Sequence, residues 1–190
     1  MKTLIALDID CVLMPWDDEA QTVLDSPTRS VYDRFGKLTG FKDWKYNQDR
    51  SLRYLTFHST EQHELIRQVG DVRWLTTWAR DGLVEKYEAF TGFGPFPTFR
   101  PEQMYEAEYL HRWWKMGWLH VFIRENAQLI ASYDRILWVD DDHNRPATLD
   151  GIAEVSFEAA QCGTELITVQ PKGPVWSRDE IEQWVNDGTD

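Results

Sequence analysis

An α/β fold built on a central, mainly parallel sheet is what this 190-residue sequence predicts, and three observations predict it. Short apolar runs, of the length and composition of strands buried on both faces, recur along the chain. Between them lie segments with helical periodicity and recognisable caps. The third observation is placement, because each of the first three runs ends in a polar cluster: Asp8 and Asp10, then Thr76 and Thr77, then Asp140, Asp141 and Asp142. Open parallel sheets bind their ligands at the carboxyl ends of the strands.

The strands expected in order are Thr3 to Leu7, Val72 to Leu75, Ile136 to Val139 and Leu166 to Val169. A helix precedes the second of them. In "STEQHELIRQVG", Ser59 or Thr60 is the N-cap, Leu65, Ile66 and Val69 share a face, and Gly70 is the stop. "RDGLVEKYEAF" and "PEQMYEAEYLHRWWKMGW" read as further helical segments, separated by "TGFGPFPTFRP", whose Gly and Pro content forbids a regular helix. A final helix starts at the capping box Ser177 to Glu180, places Ile181, Trp184 and Val185 on one face and stops at Gly188. Residues 15–55 form the least regular region, expected to be a small cap or lid over the first strand's carboxyl end or else a long surface excursion. The length suits one domain, 1–190, carrying that insert.

Composition narrows the partners. With 20 Lys+Arg against 32 Asp+Glu, the net charge of -12 repels polyanions at long range and lacks the basic footprint of a general nucleic-acid binder. Only Cys11 and Cys162 are present, which implies no disulfide framework and fits a reducing, cytoplasmic setting. No segment approaches the roughly 18 apolar residues of a membrane span, so no membrane partner is expected. Ten Trp residues are many for this length. "HRWWKMGWLHVF" concentrates three of them and reads first as helix packing, with an aromatic ligand or base-stacking wall as the alternative. His58, His63, His111 and His120 have no metal-ligand spacing, and no Gly-rich phosphate loop of the P-loop kind occurs.

Carboxylates crowded at neighbouring strand ends raise one another's pKa and destabilise a fold unless a cation sits among them. An all-oxygen Asp set suits a hard ion, Mg²⁺ before Ca²⁺, and Mg²⁺ keeps waters and takes up a substrate phosphate oxygen. A hydroxyl pair on a third strand end adds to that reading, and a Lys completes a phosphate-binding set.

With these residues in place the chain resembles a family. "LIALDIDCVL", "VRWLTTWA", the Lys in "RWWKMGW" and "ILWVDDD" follow, in order, the four motifs of the haloacid dehalogenase (HAD) superfamily of phosphohydrolases. "WLTTWA", "WVDDD" and the C-terminal "LITVQPKGPVWSRDEIEQWV" look more narrowly like the HAD domain of Swiss-army-knife RNA repair proteins. The resemblance implies a Rossmann-like three-layer sandwich and a role for each residue. Asp8 would be the nucleophile and Asp10 the general acid/base, and both would bind Mg²⁺, Asp10 through its backbone carbonyl. Thr76, with the backbone N–H of Thr77, would hold the transferring phosphoryl group, and Lys115 would neutralise nucleophile and phosphate. Asp140 and Asp141 would complete the metal set, the choice among Asp140, Asp141 and Asp142 depending on where the strand stops. Cys11 departs from the Gly common at its position and reads as a small buried hydrophobe. His143, Asn144 and Arg145 read either as substrate contacts or as a solvated loop before a helix start at Pro146.

The expected function is a Mg²⁺-dependent phosphatase acting on a phosphomonoester, a nucleotide or other small phosphorylated metabolite, through an aspartyl-phosphate. The branch resemblance implies an alternative, a 3′- or 5′-phosphatase of nucleic-acid ends. Two rivals from other classes are a HAD-like phosphate-binding or regulatory domain without turnover and a phosphotransferase that passes the phosphoryl group to an acceptor alcohol.

Overall fold

The computed structural model describes residues 1–9, 12–13, 31–32, 38–43, 53–56, 60–80, 84–111, 113–141, 143, 146–171 and 178–186. Four strands, β1 (Thr3–Leu7), β5 (Asp71–Trp74), β6 (Arg135–Val139) and β7 (Glu165–Val169), form an all-parallel sheet in the order β5-β1-β6-β7. Between β1 and β5 in sequence come β2 (Val31–Tyr32), β3 (Leu38–Asp43) and β4 (Arg53–Thr56), which pair antiparallel as a separate three-stranded sheet. The region read as irregular therefore contains a sheet. Alternation there is broken by Gly and charged residues, so the period-2 signal of a half-buried strand is weak.

The helices are α1 (Thr60–Val69), α2 (Thr77–Arg80), α3 (Val84–Thr91), α4 (Met104–Leu110), α5 (Trp114–Glu125), α6 (Ala127–Ile130), α7 (Pro146–Gln161) and α8 (Arg178–Asn186). The expected parallel strands fall within one residue of their observed bounds. One expected helix divides in two: "PEQMYEAEYLHRWWKMGW" breaks after Leu110, where His111 is extended at φ -123 and ψ 159. The sixteen-residue α7 had been anticipated only as a helix start at Pro146.

Side chains alternate across the sheet and build a core on each face. Ile5, Leu7, Val72, Trp74, Leu137 and Val139 pack with Ile66 of α1 and Ile181 and Trp184 of α8. Leu4, Ala6, Ile136 and Trp138 face the other way, onto Met116, Trp118, Leu119 and Phe122 of α5 and Val155 and Ala159 of α7. Helices thus cover both faces, which is why the two central strands, β1 and β6, are buried at every position. The tryptophan-rich segment serves this packing. Trp118 is fully buried with Trp114 edge-on to it at 5.0 Å, and Trp113 stacks on buried Trp138 at 5.1 Å. His63 belongs to the same category, buried and stacked on Phe93 at 4.2 Å.

Two close backbone approaches set the helix layer beside α5. A Cβ at Gly117 would lie 1.7 Å from the carbonyl oxygen of Ala107 in α4, and one at Gly151 of α7 would lie 1.8 Å from Met116 Sδ. Glycine at both positions lets α4 and α7 close on α5. No described helix is long and apolar enough to cross a membrane.

Candidate active site

Register brings the polar strand ends together. Leu7 pairs with Trp74 on one side and Val139 on the other, and Val139 pairs with Val169. The ladder runs one residue further: Leu75 N–H donates to Leu7 O (2.9 Å), Asp8 N–H to Val139 O (3.1 Å) and Asp140 N–H to Val169 O (3.1 Å). Asp8, Thr76 and Asp140 consequently emerge at one edge of the sheet. The backbones of Asp8 and Asp140 are held by sheet hydrogen bonds, and that of Thr76 directly follows one at Leu75 and accepts the N–H of Ala79, which is the rigidity a functional side chain requires.

Asp8 is 1% exposed and Asp140 0%. Lys115, 4% exposed, reaches them from the first turn of α5: its Nζ donates to Asp8 Oδ2 at 2.5 Å and to Asp140 Oδ2 at 2.8 Å. A lysine in the first turn opposes the helix macrodipole, which favours anions there. The two carboxylates offset that cost, and without them neither the burial nor the position of Lys115 would be tolerated. Burial by itself lowers the Lys115 pKa, but the Asp8 and Asp140 charges and hydrogen bonds outweigh it and hold the ammonium above its usual value. Lys115 is therefore charged throughout the physiological range. It also stands 5.4 Å from the Trp113 ring centroid, a weak cation–π contact on its remaining side.

The site has capacity left over. Asp8 Oδ1 is buried and accepts no hydrogen bond from the described residues. Asp8, Asp140 and half-exposed Asp141 each offer a carboxylate oxygen, and these three oxygens lie within 4.8 Å of one another. An orphaned carboxylate oxygen in a dry site needs a donor or a cation. Three carboxylates with no nitrogen or sulfur donor fit a hard divalent ion, Mg²⁺ or Ca²⁺, better than a softer metal.

Thr76 is fully buried, and its Oγ1 accepts the N–H of Trp78 at 3.3 Å, capping α2. A hydroxyl used as an acceptor keeps its proton to donate, so Thr76 offers an O–H at the same sheet edge as Asp8. Thr77 is half-buried as the first residue of α2. His143 is buried edge-on to the Trp138 ring. Its Nε2–H donates to Trp138 O at 2.8 Å, its Nδ1 has no partner among the described residues, and burial foremost lowers its pKa to about 4. A neutral imidazole is the consequence at pH 7. The sequence permits either a substrate contact or a solvated loop at His143. Its burial excludes the solvated loop.

Asp8, Thr76, Lys115 and Asp140 are thus brought together from four segments distant in sequence, with Asp141 beside them. Asp10, Cys11, Asp142, Asn144 and Arg145 lie outside the described residues, as does most of the 15–55 insert. A cleft of about 390 Å³ lined by Arg67, Asp71, Arg73, Phe96 and Tyr133 opens at the amino end of β5, opposite the carboxylates. Its arginines are committed, Arg67 to Glu64 and Gly92 O, and Arg73 to Thr98 O.

Compared with models of known protein families, with curated proteins and with solved structures, the chain has no match.

Proposed function

We propose that this chain is a phosphomonoester hydrolase of the HAD kind, dependent on Mg²⁺ and working through an aspartyl-phosphate on Asp8. One observation carries the reading: a buried aspartate with an unpartnered oxygen lies at a parallel-sheet edge, opposed by Asp140 and neutralised by Lys115. A purely structural ion pair has no use for a third nearby carboxylate or an orphaned oxygen. A phosphoryl-transfer site uses both.

In this reading Asp8 attacks phosphorus in line. The new bond joins its carboxylate oxygen to phosphorus, the bond to the leaving alcohol breaks, and Asp10 protonates that oxygen. Asp10 then takes a proton from water, whose oxygen attacks phosphorus and breaks the bond to Asp8. Lys115 holds positive charge against the phosphoryl oxygens in both steps, and Thr76 donates a hydrogen bond to them. Mg²⁺, held by Asp8, Asp140 and Asp141, would neutralise phosphoryl charge and orient the group. Unaided hydrolysis of such esters is slow enough that enzymes accelerate it by up to about 10²¹-fold, so no one of these groups suffices alone.

The charge of -12 favours a nucleotide or another small phosphorylated metabolite over a long polyanion. The test is phosphate release from an aryl phosphate, with Mg²⁺, with EDTA and with Mg²⁺ restored, for the wild type beside Asp8→Asn. Mg²⁺-restored release that Asp8→Asn abolishes supports the hydrolase. Absence of release from the wild type on this substrate and on a panel of nucleotides and phosphorylated oligonucleotides contradicts it and favours a phosphate-binding domain.

A further inference from the structure

We infer that the chain carries a second metal site, for a divalent transition cation of the zinc class, formed by His111, His120 and Glu154. The ligands come from three segments: His111 directly after α4, His120 within α5 and Glu154 on α7. His111 Nε2 and His120 Nδ1 are 2.8 Å apart, Glu154 Oε2 is 3.9 Å from His111 Nε2, and the three ligand atoms lie within 4.8 Å of one another. Metal–ligand bonds of about 2.0–2.1 Å in a tetrahedral site separate neighbouring ligands by about 3.3 Å, so the observed spacings bracket what zinc needs.

The chemistry differs from that at Asp8. Two imidazoles and one carboxylate suit zinc and its neighbours rather than Mg²⁺. His111 and His120 side chains are 8% and 9% exposed, whereas Glu154 is 65% exposed. The histidine side chains are thus buried and the carboxylate is exposed, so an incoming cation would meet Glu154 first. His120 is further oriented from behind: its Nε2 stands 3.4 Å from Glu158 Oε1. With a proton on Nε2 facing that carboxylate, Nδ1, which shares a hydrogen bond with His111 Nε2, would offer its lone pair to a cation that displaced the shared proton, the carboxylate–histidine–metal arrangement that outer partners of metal sites provide.

The backbone is arranged around the same point. Gly117 lets α4 close on α5, and a Cβ at Gly151 would lie 3.0 Å from His111 Nδ1. A cation here would tie the end of α4 and helix α7 to α5, the helix that carries Lys115.

The test is titration of the metal-free full chain with Co²⁺, read by its visible d–d absorption, followed by displacement with Zn²⁺. The expected result is one strongly absorbing Co²⁺ per chain, with the absorption of a four- or five-coordinate nitrogen site, whatever weakly absorbing Co²⁺ the carboxylates take up. His111→Ala and His120→Ala should abolish it, while Asp8→Asn should leave it intact. Should the histidine variants not fold, Glu154→Gln at its exposed position should lower Co²⁺ affinity at least tenfold, and Glu158→Gln by about tenfold. Absence of the absorption in the wild type, its survival in the folded histidine variants, or an unchanged affinity in Glu154→Gln would overturn the proposal.

Discussion

The strand-end cluster around Asp8 and the helix cluster around His111 concentrate ionisable groups by opposite means. The first buries Asp8 and Asp140, uses oxygen donors and carries its own cation, Lys115, with only Asp141 half-exposed. The second is half-open and places two buried histidine side chains beside carboxylates nearer the rim. The difference teaches how a fold of this size can hold two polar centres: charge deep in the core must be matched at close range, whereas groups near solvent need only be aimed. It also separates their expected sensitivities.

Asp8→Asn should have the largest effect. It removes the proposed nucleophile without changing side-chain size, so phosphate release should fall by at least about 10³-fold, as loss of a covalent catalyst does, with Co²⁺ binding at the histidines retained. Loss of both would merge the two centres into one. Next comes Lys115→Met, which leaves Asp8 and Asp140 facing each other without their cation. Unfolding in urea should show a loss of about 3–5 kcal/mol, the scale of breaking a buried pair from one side, and Mg²⁺ should restore part of it. An unchanged midpoint would show that the pair is not buried in solution.

The pH dependence follows from His143. Its folded pKa, about 4, lies below the unfolded 6.5, mainly through burial, so the unfolded chain binds the extra proton between those values. Stability from this residue is therefore complete above pH 6.5 and lost as pH falls toward 4, by about 3 kcal/mol. Urea midpoints across that window should slope for the wild type and flatten for His143→Gln. Gly117→Ala should cost less, about 1–3 kcal/mol by overpacking against Ala107, and should weaken Co²⁺ binding along with the α4–α5 contact. Smallest is Glu64→Ala, which breaks a surface pair with Arg67 and should shift the midpoint by less than about 1 kcal/mol.

What the amino-acid order announced, and what it concealed, follows from the range of the interactions. The four parallel strands could be read because buried strands are continuous apolar runs, and Thr3–Leu7 and Arg135–Val139 are apolar enough to stand out. Asp8, Thr76 and Asp140 could be read because each directly follows such a run. Their convergence with Lys115, which comes from a helix, was expected only through the HAD resemblance, and it is the contact that no local pattern encodes. The break at His111 was hidden because Leu110, Trp113 and Trp114 continue a helical pattern through it. His111, His120 and Glu154 were hidden for the same reason, since they meet only after three helices pack around Gly117 and Gly151. The strands between residues 31 and 56 escaped because they are short and rich in charge and glycine.

The covalent step is the centre of the account, and it can be caught. Wild-type protein would be mixed with an aryl phosphate and Mg²⁺, quenched in acid within one turnover, digested and weighed by mass spectrometry. The account predicts one added phosphoryl group on the peptide containing Asp8, absent from the Asp8→Asn protein. Phosphate release with the adduct on another residue, or release undiminished in Asp8→Asn, would contradict it.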